Sequence, residues 1–116
     1  MSSDLVSRRC KPCEGGVTPL DADQAKKLLE ALHTDWSLTD DGLNICRTFH
    51  FPAYSRSLGF LNAVAWIAIT EGHHPDITLT YGSCTVCYTT HAIAGLSDND
   101  FICAAKIDQI PLGDSV

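Results

Sequence analysis

Leu43, Ile45, Phe49 and Phe51 alternate with polar residues, the period of two that a strand with one buried face requires. Asp40-Asp41-Gly42 separates this run from Trp36–Leu38, so the two predict a hairpin. Upstream, Ala25, Leu28, Leu29 and Leu32 recur at helical spacing, with Asp21 as N-cap and Gln24 completing a capping box; this helix ends near His33. Residues 1–17, closing on Glu14-Gly15-Gly16, show no period and read as an irregular segment before a single domain spanning 18–116.

Pro52 stops the second strand, and residues 53–71 place Tyr54, Leu58, Leu61, Ala65, Ala68 and Ile69 on one helical stripe that ends at Gly72. Phe60, Val64, Trp66 and Ile67 fall off that stripe, so the helix is apolar on more than one face. A second cover is therefore expected, either a partner subunit or another layer of the same domain. Two β-rich runs, 76–81 and 84–91, then flank Gly82-Ser83, predicting a hairpin in which Gly82 takes the positive φ. With Tyr81 facing Cys84, Ile77 would meet Tyr88, Pro75 would meet Thr90, and His74 would meet His91. A last helix starts at Ser97, with Asp100 at the capping-box position, and runs to about Ile110. The order helix, two strands, helix, two strands, helix implies the α+β class, an antiparallel four-stranded sheet with helices packed on it.

Composition narrows the function. The chain has 116 residues and 45% apolar content, enough for one core. A net charge of −6 disfavours an electrostatic grip on nucleic acid. No apolar run is long enough for a membrane span, and the first residues lack a signal-peptide profile, so a cytoplasmic protein is expected. The six cysteines are then expected as reduced thiols. Cys10-x-x-Cys13 and Cys84-x-x-Cys87 could together hold zinc, but the second pair lies in a strand, where residues three apart face opposite sides. Cys84, Cys87 and Cys103 read more simply as small buried apolar residues.

His73-His74-Pro75, with His91 seventeen residues beyond His74, carries the candidate chemistry. Imidazole alone can both give and take a proton near neutrality without a perturbed pKa. Opposed strand residues hold Cβ atoms roughly 4.5 to 5.5 Å apart, so His74 and His91 could address one small molecule. The long helix ends just before His73 and His74, and its dipole favours a positive charge there. A metal site is the alternative use, but adjacent residues of an extended chain diverge and seldom reach one ion.

Glu71-Gly72-His73-His74-Pro75-Asp76, with Tyr81, His91 and Gly95-Leu96-Ser97-x-x-Asp100, resembles the pterin-4a-carbinolamine dehydratase family. Cys13-Glu14-Gly15-Gly16, Trp36-x-Leu38, Phe49-x-Phe51 and Ser57-x-Gly59-Phe60 extend the likeness over nearly the whole chain. The resemblance implies a small α+β fold assembling as homodimers or homotetramers. It implies dehydration of 4a-hydroxytetrahydropterin to quinonoid dihydropterin in tetrahydropterin recycling, with no metal or cofactor. His73, His74 and His91 are then the expected catalytic residues, and Asp100, Pro75, Asp76 and Thr90 the expected binding or supporting ones. A functional link to an aromatic amino acid hydroxylase follows from the same resemblance. So does an alternative role as a protein-binding dimerisation module of the transcription-cofactor kind. One departure stands out: many members carry a carboxylate four residues before the first histidine, where this chain has Ile69. Glu71 is two positions on, about 200° around a helix axis, and does not substitute for it directly.

Overall fold

The computed structural model describes residues 2–11 and 17–112. Its elements are α1 (Ser2–Ser7), α2 (Ala22–Leu29), β1 (Ser37–Leu38), β2 (Ile45–His50), α3 (Tyr54–Glu71), β3 (Asp76–Leu79), β4 (Ser83–Tyr88) and α4 (Asp98–Asp108), with a 3-10 turn at His91–Ile93. The strands form one antiparallel sheet in the order β1-β2-β4-β3, so the expected α+β class holds. The N-terminal segment departs from expectation. Six of its residues form α1, whose Leu5 is buried in the common core; one turn and a half is too short for a period to be read.

Both capping boxes form as expected, Asp21 with Gln24 on α2 and Ser97 with Asp100 on α4. On the sheet's inner face Ile45, Phe49, Cys84, Val86 and Tyr88 are buried. Phe49 packs on Phe60 of α3 at 4.3 Å between ring centroids, flanked by Phe51 and Trp36.

The stripe that α3 turns inward is Ser57, Phe60, Val64 and Ala68. The stripe picked out by spacing is split: Leu61 and Ala68 lie on the core side, whereas Tyr54 and Leu58 are exposed, and Ile69 is 69% exposed beside the off-stripe Trp66 at 70%. Both stripes keep helical spacing, so periodicity could not rank them. The choice is made by Phe60, which reaches two sheet aromatics, and by Ser57, whose buried hydroxyl donates to the carbonyls of Thr80 and Ser83.

Those same contacts set the register of the second hairpin. Its two-residue turn is Tyr81-Gly82, closed by Thr80 N–H donating to Ser83 O at 2.9 Å, one residue earlier than expected. Gly82 is not among the residues with positive φ, and its carbonyl is held by the Phe51 amide. Ile77 therefore pairs with Val86 rather than Tyr88, and the ladder ends at Asp76, so Pro75 has no pairing with Thr90 nor His74 with His91. The slip is of two residues, which leaves every side chain on its predicted face.

Cysteine chemistry also departs from expectation. Cys46 and Cys87 face each other across β2 and β4, 4.1 Å apart at Cα, and are joined by a disulfide on the outer face of the sheet. Cys87 is thus neither reduced nor a core residue, whereas Cys84 and Cys103 are buried thiols. Cys13 lies outside the described residues. No helix among the described residues is long and apolar enough to cross a membrane.

Phe60→Ala should cost about 3 to 5 kcal/mol in urea unfolding, because it empties the space between sheet and helix, while Asn62→Ala on the exposed side of α3 should stay within about 0.5 kcal/mol. Equal effects would contradict the inward face assigned here.

Candidate active site

Gly72 ends α3 in the left-handed conformation at φ 67°, which L residues with a Cβ adopt only at a cost. The Gly72 amide donates to Ile69 O and the His73 amide to Ala68 O, a reversal that turns the chain back toward α4. His73 then lies flat against Tyr88, 5.4 Å between centroids and 10° between planes. Its Nε2 meets Asp100 Oδ1 at 2.6 Å. A carboxylate acceptor puts the proton on Nε2 and leaves Nδ1 as the accepting nitrogen of the neutral ring.

Asp100 is wholly buried. Its second oxygen accepts the Thr90 hydroxyl at 2.8 Å and the Ser97 amide at 2.9 Å. The helix cap and the histidine partner are the same carboxyl group, one oxygen for each. Thr90, buried where the chain leaves β4, also bonds the Ser97 hydroxyl at 2.7 Å. Tyr88, the platform under His73, stays a neutral phenol: burial first, then the neighbouring thiols and Asp100, push its pKa well up.

His74 is exposed, Pro75 half-buried, and Asp76 exposed as the first residue of β3. His91 is brought near by a different device from the strand pairing expected. Beyond Thr90 the chain makes a tight loop, Thr90 and Gly95 pairing at its neck and Ala94 taking φ 53°, so that His91 opens the 3-10 turn. His73, His74 and His91 consequently line one cleft of about 510 Å³, together with Pro75, Asp76 and Thr90. That volume suits a small bicyclic ligand. Asp100 lies behind it and touches two of its lining residues, His73 and Thr90.

Glu71 lines the same cleft, but both of its carboxylate oxygens are engaged in contacts that fasten elements together. Its Oε1 accepts the Cys10 amide at 2.8 Å, and its Oε2 meets Lys106 Nζ at 2.8 Å and Arg9 Nε at 3.0 Å. Burial opposes its ionisation, but the Cys10 amide, Lys106 and Arg9 outweigh that and hold its pKa at about 2. Ile69 points to solvent. The cleft walls that sequence reasoning missed include Cys10, Lys11, Thr89, Ala92 and Asn99. The C-x-x-C spacing drew attention to Cys10 only as a thiol, and nothing in the local pattern marks Asn99. Among the described residues no cluster of three or more His, Cys, Asp or Glu is arranged to hold a metal ion.

Residues 18–110 match the family model described as pterin 4 alpha carbinolamine dehydratase. A protein of Nitrosomonas eutropha provisionally named pterin-4-alpha-carbinolamine dehydratase is 54% identical over 92% of this chain and 93% of its own. One of the same provisional name from Legionella pneumophila is 48% identical over 95% and 97%. Among solved structures, the transcriptional coactivator/pterin dehydratase of Brucella melitensis superposes with a TM-score of 0.73 at 29% identity, over 78% of this chain and 95% of that one. A pterin dehydratase-like protein identified as a RuBisCO assembly factor in the alpha-carboxysome shares the fold at TM-score 0.58 and 21% identity, over 72% of this chain and 95% of its own.

Glu71 gives a pH test. Its carboxyl is ordinary at 4.5 and about 2 when folded, so its contribution is complete above pH 4.5 and is lost as pH falls toward 2. The melting-temperature gap between wild type and Glu71→Gln should be widest at neutral pH and should close as pH falls from 4.5 toward 2. A gap constant from pH 7 to pH 3 would rule out the ionised clamp.

Proposed function

Because the chain belongs to the pterin-4a-carbinolamine dehydratase family, we propose that it dehydrates 4a-hydroxytetrahydropterin to quinonoid dihydropterin and water. The single observation that carries this reading is the convergence of His73, His74 and His91 on one cleft, with His73 immobilised between Asp100 and Tyr88. Hydroxide leaves only when a proton reaches it, and the neighbouring ring nitrogen loses a proton as the C=N bond forms. One imidazole donates the first and another accepts the second. Each such transfer is typically worth roughly 10² to 10⁴ in rate.

The environments of the rings differ in a way that suits two tasks. His73 is fixed in one orientation by Asp100 and stacking, as a group acting at a defined atom must be. His74 and His91 are exposed and can exchange protons with solvent between turnovers. Thr90 and Asp100 support His73 from behind, while Pro75 and Asp76 shape the cleft wall. The reading requires no cofactor, a cytoplasmic setting, and a source of carbinolamine such as an aromatic amino acid hydroxylase.

Self-association belongs to the same proposal. Tyr54, Leu58, Trp66 and Ile69 expose an apolar face along α3 that a folded monomer leaves in water. A second copy of the chain covering it makes the homodimer or homotetramer. The alternative role of protein-binding module draws on this face too, and on the likeness to the transcriptional coactivator/pterin dehydratase of Brucella melitensis.

Dehydration of 4a-hydroxytetrahydropterin followed optically should fall at least about tenfold for His73→Ala, His74→Ala and His91→Ala, with circular dichroism unchanged for the exposed His74 and His91 variants and the melting temperature lowered for His73→Ala, which strips the buried Asp100 of a partner. Wild-type protein no faster than buffer would end the dehydratase reading and leave the binding module. Separately, Trp66→Glu should lower the mass seen in sedimentation toward 12.6 kDa, and an unaltered assembly would clear α3 of that role.

A further inference from the structure

Cys10 and Lys11 form part of the cleft wall, yet they precede residue 18, where the match to the family model begins. The strap formed by Arg9, Cys10 and Lys11 has no regular secondary structure, and side chains of the helices bind its backbone. Asn99, itself 6% exposed, offers its whole amide to Lys11: Nδ2 donates to Lys11 O at 2.6 Å, and Oδ1 accepts Lys11 N–H at 3.1 Å. Glu71 accepts the Cys10 amide at 2.8 Å. Cys10 Sγ lies 3.4 Å from Cys103 Sγ, and Lys106 reaches the same Glu71. Asn99, Cys103 and Lys106 are spaced four and three apart, so one stripe of α4 receives the strap directly or through Glu71.

We propose that this strap is the wall against which the pterin ring binds, and that Asn99 is the positioning residue that holds it, setting substrate affinity rather than the rate of proton transfer. The inference rests on the dehydratase reading and adds to it. The strap's one thiol is poorly suited to proton transfer, since the hydrogen bond shared with Cys103 and then burial push the Cys10 pKa up. What Cys10 and Lys11 offer is surface and a fixed backbone. Asn99 is next to Asp100 in the chain, and Glu71 is two residues before His73, so the strap is registered against the histidine pair by its immediate neighbours.

Asn99→Asp is the sharp variant, because it keeps the acceptor and turns the donor into an oxygen facing the Lys11 carbonyl. Loss of a buried hydrogen bond of this kind predicts a KM for the carbinolamine raised at least about fivefold with kcat within about twofold of wild type. A second readout needs no variant: acylation of Lys11, an exposed residue of the strap that lines the cleft, by sulfo-N-hydroxysuccinimidyl acetate, mapped by peptide mass spectrometry in the full-length wild type. Added 7,8-dihydrobiopterin should slow it. An active wild type in which the dihydropterin leaves Lys11 acylation unchanged overturns the strap while sparing the dehydratase reading. So does a fall in kcat at constant KM, which would assign Asn99 to the His73–Asp100 pair. A wild type without turnover removes the dehydratase reading and this inference together.

Discussion

A fully buried carboxylate, Asp100, ties together three places where the chain leaves regular structure: His73 beyond α3, Thr90 beyond β4, and the Ser97 amide that opens α4. Taking a lone carboxylate out of water costs several kcal/mol, and it persists only where every oxygen is bonded. Here both oxygens are, the imidazole can carry the opposite charge, and the N-terminus of α4 adds a favourable potential. Fold and site are therefore one bond set. The cap that starts the last helix is also what aims His73 into the cleft.

The parts of the fold written in short-range chemistry could be read from the residues. Asp21 with Gln24 and Ser97 with Asp100 are caps whose partners lie three residues away. Gly72 ends a helix where only a residue free of a Cβ sits comfortably. The histidines were identified by adjacency and by an intervening hairpin, and they do share a cleft. The device that brings His91 there was not legible, because the Thr90 to Gly95 neck depends on a bridge that no local propensity signals.

What escaped reading depends on contacts between distant elements. The two-residue turn at Tyr81-Gly82 is chosen by Ser57 and Phe51, from α3 and the end of β2, and not by the Gly-Ser dipeptide. The inward face of α3 was hidden for a related reason: two stripes share the helical period, and only the sheet decides between them. The Cys46–Cys87 disulfide depends on the β2–β4 register, which no turn encodes because α3 and β3 intervene. The strap is the extreme case, a segment without periodicity whose anchors lie about sixty and ninety positions away.

Two carboxylates near the end of α3 thus have separate tasks, and the difference follows from their partners. Glu71 faces Lys106 and Arg9, permanent cations, so it is held ionised and works as a fastener across a wide pH range. Asp100 faces an imidazole, whose charge can change, so its pairing is sensitive to the proton that the proposed chemistry moves. Ile69, which faces solvent, takes no part in the clamp between α3 and α4. That clamp uses Glu71 and His73 on one side, and Lys106 and Asp100 on the other.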